Sequence, residues 1–214
     1  KEAKTRGVSS FVFASSCSIY GIAEDSTRKE NNKLNPLTAY AKSKVAMEKD
    51  LSALADESFI TTALRFATAC GMSSRLRLDL VLNDFVACAI TSGDISVLSD
   101  GTAWRPLIDV KDMSRAIDWA IDREFEVSGL FLPINTGCED FSYQIKDLAN
   151  IVAKNIPGTK VSINTNVKSD QRSYRVDFSL FKNLAPNHQP VISIEQSIQK
   201  IKLGLENMKF VDSN

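Results

Sequence analysis

Tyr40 and Lys44 are spaced for chemistry, because residues four apart lie on the same face of a helix. A free phenol is a poor base at neutral pH, and a neighbouring ammonium favours the charged phenolate. Ser16 follows a predicted strand, at the edge where open α/β sheets bind their ligands. Together these groups could move a proton while hydride leaves or joins a carbinol carbon. A Tyr-x-x-x-Lys pair alone is more often a surface contact, but the order of these residues and the strand-end serine favour a site.

An alternation of strands and helices is predicted around these residues. Short apolar runs predict strands at residues 8–14, 59–66, 95–98, 106–110, 130–135 and 160–164. Helical periodicity predicts helices from Thr38 onward and at residues 78–91, 112–122, 143–154 and 194–205. This alternation is typical of an α/β fold with parallel strands. The shorter, more irregular second half indicates a small mixed lobe packed on the sheet.

The composition excludes several classes of protein. The 214 residues include 26 basic and 26 acidic side chains, so the formal net charge is zero. That balance gives no electrostatic footprint for nucleic acid or for an acidic membrane surface. No apolar run approaches the roughly 18 residues of a membrane-spanning helix. The single histidine, His188, leaves little for a histidine-based triad or a zinc-protease motif, so no metal site is predicted.

Cysteine and glycine usage narrow the choice further. The four cysteines are widely spaced, form no Cys-x-x-Cys pair, and in three cases lie among apolar neighbours. We therefore expect a cytoplasmic protein without structural disulfides. The nine glycines are far apart, with no two closer than the eight residues between Gly93 and Gly101, so the sequence contains no Gly-x-Gly-x-x-Gly loop to cradle a phosphate.

Four segments carry a resemblance to a known family. They are residues 11–21 (FVFASSCSIYG), 36–44 (PLTAYAKSK), 64–68 (LRFAT) and 104–112 (WRPLIDVKD). In this order, the sequence resembles the extended short-chain dehydrogenases, the NAD-dependent epimerases/dehydratases that act on nucleotide sugars. The resemblance extends from Gly7 to about Leu205.

The resemblance implies a Rossmann-like fold, of which this sequence holds the C-terminal part. We expect part of a doubly wound parallel sheet and a small mixed α/β substrate-binding lobe. Residues 1–70 would form a partial dinucleotide-binding domain, and residues 71–214 mostly the substrate-binding lobe, with some segments returning to the sheet. The family's opening strand, Gly-rich turn and acidic ribose-binding residue, roughly 100 residues, have no counterpart here. The first residues look like the last turns of a helix rather than a natural beginning.

The resemblance also assigns roles to individual residues. Tyr40 would be the catalytic acid/base, Lys44 would bind the nicotinamide ribose and favour the phenolate, and Ser16 would be the catalytic serine. The implied cofactor is NAD, with NADP left open, and the implied cofactor-binding residues are Ala14, Ser15, Tyr40, Lys44, Phe66 and Thr68. The implied substrate-binding residues are Ser16, Arg75, Asn83, Arg105 and Arg172. A guanidinium such as that of Arg105 suits bidentate binding of a diphosphate. Arg77, like Arg75 and Asn83, lies where the family binds the nucleotide. For Arg75 and Arg77, a charge in a solvated loop is an equal alternative to a contact with the ligand.

The expected activity of the parent protein is the epimerisation of a nucleotide sugar through a transient keto intermediate, whereas this chain alone is expected to be inactive. A ketoreductase of the same family is an alternative, as is a non-catalytic fragment that only binds a ligand or partner. Cys17 and Ser18 stand where the family's 4,6-dehydratases carry Asp-Glu, which counts against a dehydratase. Thr68 replaces an Asn that many sugar epimerases use, so the sugar is open. The family also implies a homodimer through the helix that carries Tyr40.

Overall fold

The computed structural model describes residues 1–21, 27–167 and 173–208. The strands of these residues are β1 (Ser10–Ser16), β2 (Ile60–Phe66), β3 (Thr68–Cys70), β4 (Asp94–Val97), β5 (Trp104–Asp109), β6 (Phe131–Thr136), β7 (Ser142–Gln144) and β8 (Lys160–Ile163). The helices are α1 (Glu2–Thr5), α2 (Ala39–Leu54), α3 (Val81–Thr91), α4 (Val110–Ile121), α5 (Phe125–Ser128), α6 (Ile145–Asn155), α7 (Ser179–Leu184) and α8 (Ile194–Asn207). Short 3-10 helices span Cys17–Tyr20, Glu139–Phe141 and Pro186–His188.

The strands form three small sheets. In the first, β1, β2 and β6 are parallel, and the register sets Ser16 beside Phe66 and Phe66 beside Thr136. The carboxyl ends of these strands therefore lie at one edge, where parallel sheets bind ligands. In the second, β5 pairs in parallel with β3 and antiparallel with β7. The third is the parallel pair of β4 and β8. The predicted α/β fold with parallel strands is confirmed.

Tertiary pairing moves several of the predicted boundaries. The strands β3 and β7 have three residues each, too short for an alternating pattern to reveal. The helix predicted from Tyr143 begins at Ile145, because residues 142–144 pair with β5 instead. The predicted N-cap Thr38 is confirmed, since its side chain accepts a hydrogen bond from the amide of Ala41.

Two hydrophobic cores hold these elements together. The first lies at the β1–β2–β6 sheet and includes Leu64, Ile134, Ala116 of α4 and Phe181 of α7. The second lies between α3, α6 and α8, and its largest fully buried side chains include Leu82, Leu148 and Ile198. All four cysteines are free thiols; Cys17 and Cys70 are buried, whereas Cys88 and Cys138 are half-buried. Among the described helices, none is long and apolar enough to cross a membrane.

Candidate functional site

A cleft of about 690 Å³ opens at the carboxyl ends of β1 and β2 and extends to β4 and β5. Most of the residues predicted to form the site line this cleft: Ala14, Ser15, Ser16, Tyr40, Lys44, Phe66, Thr68 and Arg105. They come from strands and helices that are distant in sequence. The parallel register of the first sheet brings the strand-end residues to one place.

Helix α2 brings Tyr40 and Lys44 to the cleft. Tyr40 lies in the first turn and is 57% exposed, while Lys44 follows one turn later and is half-buried. The Nζ of Lys44 donates a hydrogen bond to the carbonyl oxygen of Ala14 at 2.7 Å. The same Nζ lies 4.7 Å from the ring centroid of Phe13 and 5.1 Å from that of Tyr40. Burial lowers the pKa of Lys44. A positive charge is thus held beside the phenol ring.

Ser16 ends β1 and caps the 3-10 helix that follows. Its Oγ accepts a hydrogen bond from the amide of Ser18 at 3.2 Å and donates one to the Ser18 Oγ at 2.9 Å. Both hydroxyls line the cleft. Between them, Cys17 turns inward, and its Sγ lies 3.0 Å from the carbonyl oxygen of Arg65. Burial raises the pKa of the Cys17 thiol, so the thiol stays protonated. At this position the cleft is therefore lined by the two serine hydroxyl groups and not by an acid.

The side chain of Ser15 faces α2. It is 3% exposed, and its Oγ donates a hydrogen bond of 2.5 Å to Oε1 of Glu48. Ser15 still lines the cleft, so its predicted contact with a cofactor involves the backbone and not the hydroxyl group.

Arg105 brings a guanidinium to the part of the cleft formed by β5. It pairs across the strands with Tyr143, and one of its terminal nitrogens donates to the carbonyl oxygen of Trp104 at 2.9 Å. Its guanidinium carbon lies 5.6 Å from the ring centroid of Tyr174, which also lines the cleft. An aromatic face and a cation at one place suit an anionic group of a ligand.

Asn83 and Arg75 lie outside the lining of the cleft. Asn83 is 2% exposed, and both ends of its amide are engaged by the loop before α3. Its Oδ1 accepts from the amide of Gly71, and its Nδ2 donates to the carbonyl oxygen of Arg77, each at 3.0 Å. Asn83 therefore stabilises this loop, and its contact with a substrate stays a prediction. Arg75 is exposed on the same loop, and Arg172 lies outside the described residues.

Charged residues also line the cleft, and two of them, Asp79 and Asp84, were missed by sequence reasoning. Arg77 and Asp79 form an ion pair of 2.5 Å at its rim, and Asp84 faces it from the first turn of α3. Burial raises the pKa of Asp84. The spacing of Arg77 and Asp79 carries no signal, because loop charges are usually solvated. Within residues 1–21, 27–167 and 173–208, no group of His, Cys, Asp and Glu side chains is arranged to hold a metal ion.

The fold is shared with solved enzyme structures at low sequence identity. An NAD-dependent NDP-hexosamine 5,6-dehydratase of tunicamycin biosynthesis is 22% identical, with a TM-score of 0.81 over 96% of this chain and 66% of that chain. The UDP-glucuronic acid 4-epimerase of Bacillus cereus is 20% identical, with a TM-score of 0.78 over 93% of this chain and 62% of that chain. RMD of Pseudomonas aeruginosa, complexed with NADPH, is 22% identical, with a TM-score of 0.78 over 96% of this chain and 69% of that chain.

These likenesses confirm the predicted Rossmann-like fold. The chain spans about two thirds of the length of these structures, with 66%, 62% and 69% of them covered. The sequence itself matches the model of the NAD dependent epimerase/dehydratase family over residues 1–130. Because this match extends over more than half of the sequence, the chain belongs to the NAD-dependent epimerase/dehydratase family.

Proposed function

We propose that this chain carries the catalytic and substrate-binding residues of an enzyme that epimerises a nucleotide sugar through a transient keto intermediate. One observation carries the proposal: Ser16, Tyr40 and Lys44 line a single cleft at the carboxyl ends of parallel strands. Solved relatives support the substrate class, since the Bacillus cereus epimerase was solved with UDP-glucuronic acid and NAD. Another, MoeE5, was solved with UDP-glucose and NAD.

The residues at the strand ends fit a dinucleotide. Phe66, Ala67 and Thr68 offer a mostly apolar surface, and Lys44 offers an ammonium donor a short distance away on α2. We assign Ala14, Ser15, Tyr40, Lys44, Phe66 and Thr68 to NAD, with NADP as the alternative cofactor. The chemistry that this cofactor supplies when bound is the reversible acceptance of hydride from a sugar carbon.

Proton transfer is the task of the chain's own side chains. Tyr40 removes the proton of a sugar hydroxyl as phenolate and later returns it to the carbonyl oxygen. Lys44 stabilises the phenolate by its charge, 5.1 Å from the ring centroid. When the sugar binds, the Ser16 hydroxyl turns its one proton from the Ser18 Oγ to the same sugar oxygen, because Ser16 lines the cleft at the end of β1. Together these three groups bind and transfer the proton of a single sugar hydroxyl.

The remaining assignments concern the nucleotide and the larger assembly. Arg105 binds the diphosphate in this proposal, and Arg172, Arg75 and Asn83 stay predicted substrate-binding residues. We propose that residues 1–70 serve the cofactor and residues 71–214 mostly the substrate. We also propose that two copies of the protein pair through α2, whose outer side includes the exposed Met47.

Ligand binding without turnover is the second candidate function. The observation that favours it is the 57% exposure of Tyr40, because a catalytic phenol works best where water is excluded. The two candidates differ in what happens to a bound nucleotide sugar.

The decisive experiment compares Tyr40→Phe with Tyr143→Phe in the full chain. By itself the chain is expected to be inactive, because the Gly-rich turn that binds the dinucleotide in the family has no counterpart in these residues. In a longer protein that supplies this turn, we expect the unsubstituted chain to interconvert UDP-sugar epimers in the presence of NAD, measured by NMR of the anomeric protons. Tyr40→Phe should lower the rate at least ~100-fold, because the proton acceptor is lost. Tyr143→Phe, a half-buried tyrosine outside the cleft lining, should leave the rate unchanged.

Calorimetric titration with NAD and UDP-sugars separates the outcomes. Binding without any turnover, even in the longer protein, supports the second candidate. An epimerisation rate that survives Tyr40→Phe contradicts the proposed mechanism.

A further inference from the structure

A buried ion pair lies directly behind the cleft. Glu48 is 5% exposed and Arg65 is 4% exposed. A terminal nitrogen of Arg65 lies 2.7 Å from Oε2 of Glu48, and its Nε lies 3.1 and 3.2 Å from the two carboxylate oxygens. This fork-like geometry fixes both the distance and the orientation of the two groups.

The pair joins the elements that carry the candidate catalytic residues. Glu48 lies on α2, one helical turn after Lys44. Its Oε1 also accepts the 2.5 Å hydrogen bond from Ser15, the neighbour of Ser16 on β1. Arg65 lies on β2, directly before Phe66. One carboxylate therefore binds α2 to both strands whose ends form the cleft.

A second set of contacts holds Arg65 in place. Its other terminal nitrogen donates to the hydroxyl of Tyr20 at 3.0 Å and to the carbonyl oxygen of Glu30 at 2.9 Å. The hydroxyl of Tyr20 in turn donates to Oδ1 of Asn135 on β6, at 2.6 Å. The guanidinium is thus fixed by β6, by the 3-10 helix after β1 and by the carboxylate of Glu48.

Stability alone does not account for such a pair. Removing two charges from water is costly, and apolar residues of similar volume are often as stable or more stable in their place. What apolar packing does not supply is direction, because dispersion contacts tolerate sliding and rotation, whereas forked hydrogen bonds do not.

We propose that Glu48 and Arg65 are positioning residues, which lock α2 onto β1 and β2 and so set the place of Tyr40 and Lys44 relative to Ser16. The importance of that arrangement for catalysis rests on the proposed function, but the attachment of α2 to β1 and β2 by these two residues does not. The Nζ of Lys44 reports on it, because its contacts with the Ala14 carbonyl and the Phe13 ring exist only while α2 stays seated.

The test replaces the charges by apolar side chains, in the double variant E48M/R65M. Lysines labelled with ¹³C at Cε are titrated by NMR in the full chain, and the Lys44 signal is identified by its loss in K44Q. In the unsubstituted chain we expect Lys44 to titrate below the other lysines. In E48M/R65M its pKa should rise to the ordinary lysine range, about 10.4, while the thermal midpoint stays equal or increases.

A matched control removes an exposed ion pair far along the chain. Lys202 and Glu206 lie on α8 with 3.9 Å between their charged atoms, and K202M/E206M should leave the Lys44 signal unchanged. If the Lys44 titration is the same in E48M/R65M as in the unsubstituted chain, the positioning role is wrong.

A second variant covers the case in which E48M/R65M does not fold. E48D keeps the charge but withdraws the carboxylate by one methylene, so Lys44 should move part of the way to the ordinary range. A Lys44 pKa in folded E48D equal to that of the unsubstituted chain would also show that the positioning role is wrong. Where the longer protein shows epimerisation, E48D should lower kcat at least 10-fold with KM changed less than 3-fold. Without turnover in that protein the proposed function fails, and the NMR titration of Lys44 still tests the positioning role of Glu48 and Arg65.

Discussion

Cys70 makes the stability of the protein depend on pH. It ends β3 with 1% of its surface exposed, and burial, followed by the nearby charge of Asp109, raises its pKa to about 12. In the unfolded chain a thiol ionises near pH 8.5, which is about 3.5 pH units lower than in the folded protein. The unfolded state therefore loses its proton first as the pH rises. The contribution of Cys70 to stability is complete below about pH 8.5 and is lost progressively toward pH 12.

Cys70→Ala should remove the part of the pH dependence of stability that comes from Cys70, while the buried thiol of Cys17 keeps its own part. Between pH 8 and pH 9.5, we expect the free energy of unfolding of the unsubstituted chain to fall by about 1 kcal/mol more than that of Cys70→Ala. Urea unfolding at the two pH values measures the difference. Each protein serves as its own reference at pH 8, which removes the cost of the smaller side chain. Parallel losses in both proteins would show that the Cys70 thiol ionises normally in the folded state.

The turn after the first 3-10 helix is an element that only glycine can complete. Gly21 ends this helix with φ +65°, and a Cβ at this position would overlap the carbonyl oxygen of Asn35. The amide of Asn35 in turn donates to the carbonyl oxygen of Ile19 at 3.0 Å. The segment after Ser16 is thus seated against the loop that leads to the N-cap of α2.

Gly21→Ala should therefore destabilise the protein more than Gly93→Ala does. Gly93 has φ +70° but open space around it, so alanine there costs only the left-handed backbone, about 1–2 kcal/mol. At Gly21 the steric overlap is added, and we expect a loss of at least ~3 kcal/mol. Thermal or urea unfolding of the two variants measures both losses. Equal losses would mean that the loop at Asn35 moves aside freely.

At the scale of the whole molecule, buried carboxylates link the two hydrophobic cores. Asp112 lies on α4, which packs on the first sheet, and is 1% exposed. Its Oδ2 accepts hydrogen bonds from the amides of Val191 and Ile192 at 3.1 and 3.0 Å, just before α8 of the second core. Asp109 makes a similar link, since its Oδ2 accepts from Ser197 of α8 at 2.7 Å.

Asp112→Ala should remove the hydrogen bonds between α4 and the segment before α8, and so lower the stability of the whole protein. Two backbone amides lose their acceptor, and we expect a loss of about 2–3 kcal/mol in the free energy of unfolding. Asp118→Ala on the exposed side of the same helix is the control and should stay within about 0.5 kcal/mol of the unsubstituted chain. Urea unfolding monitored by tryptophan fluorescence measures both. If the two variants are equally stable, water replaces the carboxylate without cost.

The sequence by itself determined the features that depend on short-range geometry. Helical periodicity put Tyr40 and Lys44 on one face, Thr38 capped their helix as predicted, and the alternation of strands and helices led to a parallel sheet with Ser16 at its carboxyl edge. These features follow from the periods of helix and strand and from the common direction of parallel strands.

Only the tertiary structure decided which polar groups bind one another. The sequence spacing of Glu48 and Arg65 does not predict that they pair. The position of Glu48 on the buried side of α2 could, however, have indicated that it needs a charged partner. Asn83 binds the loop of Gly71, and Tyr143 and Gln144, predicted as the start of a helix, pair with β5 instead. The physical reason is that such contacts join residues distant in sequence, and burial makes each polar group bind whichever partner the packed fold brings within reach.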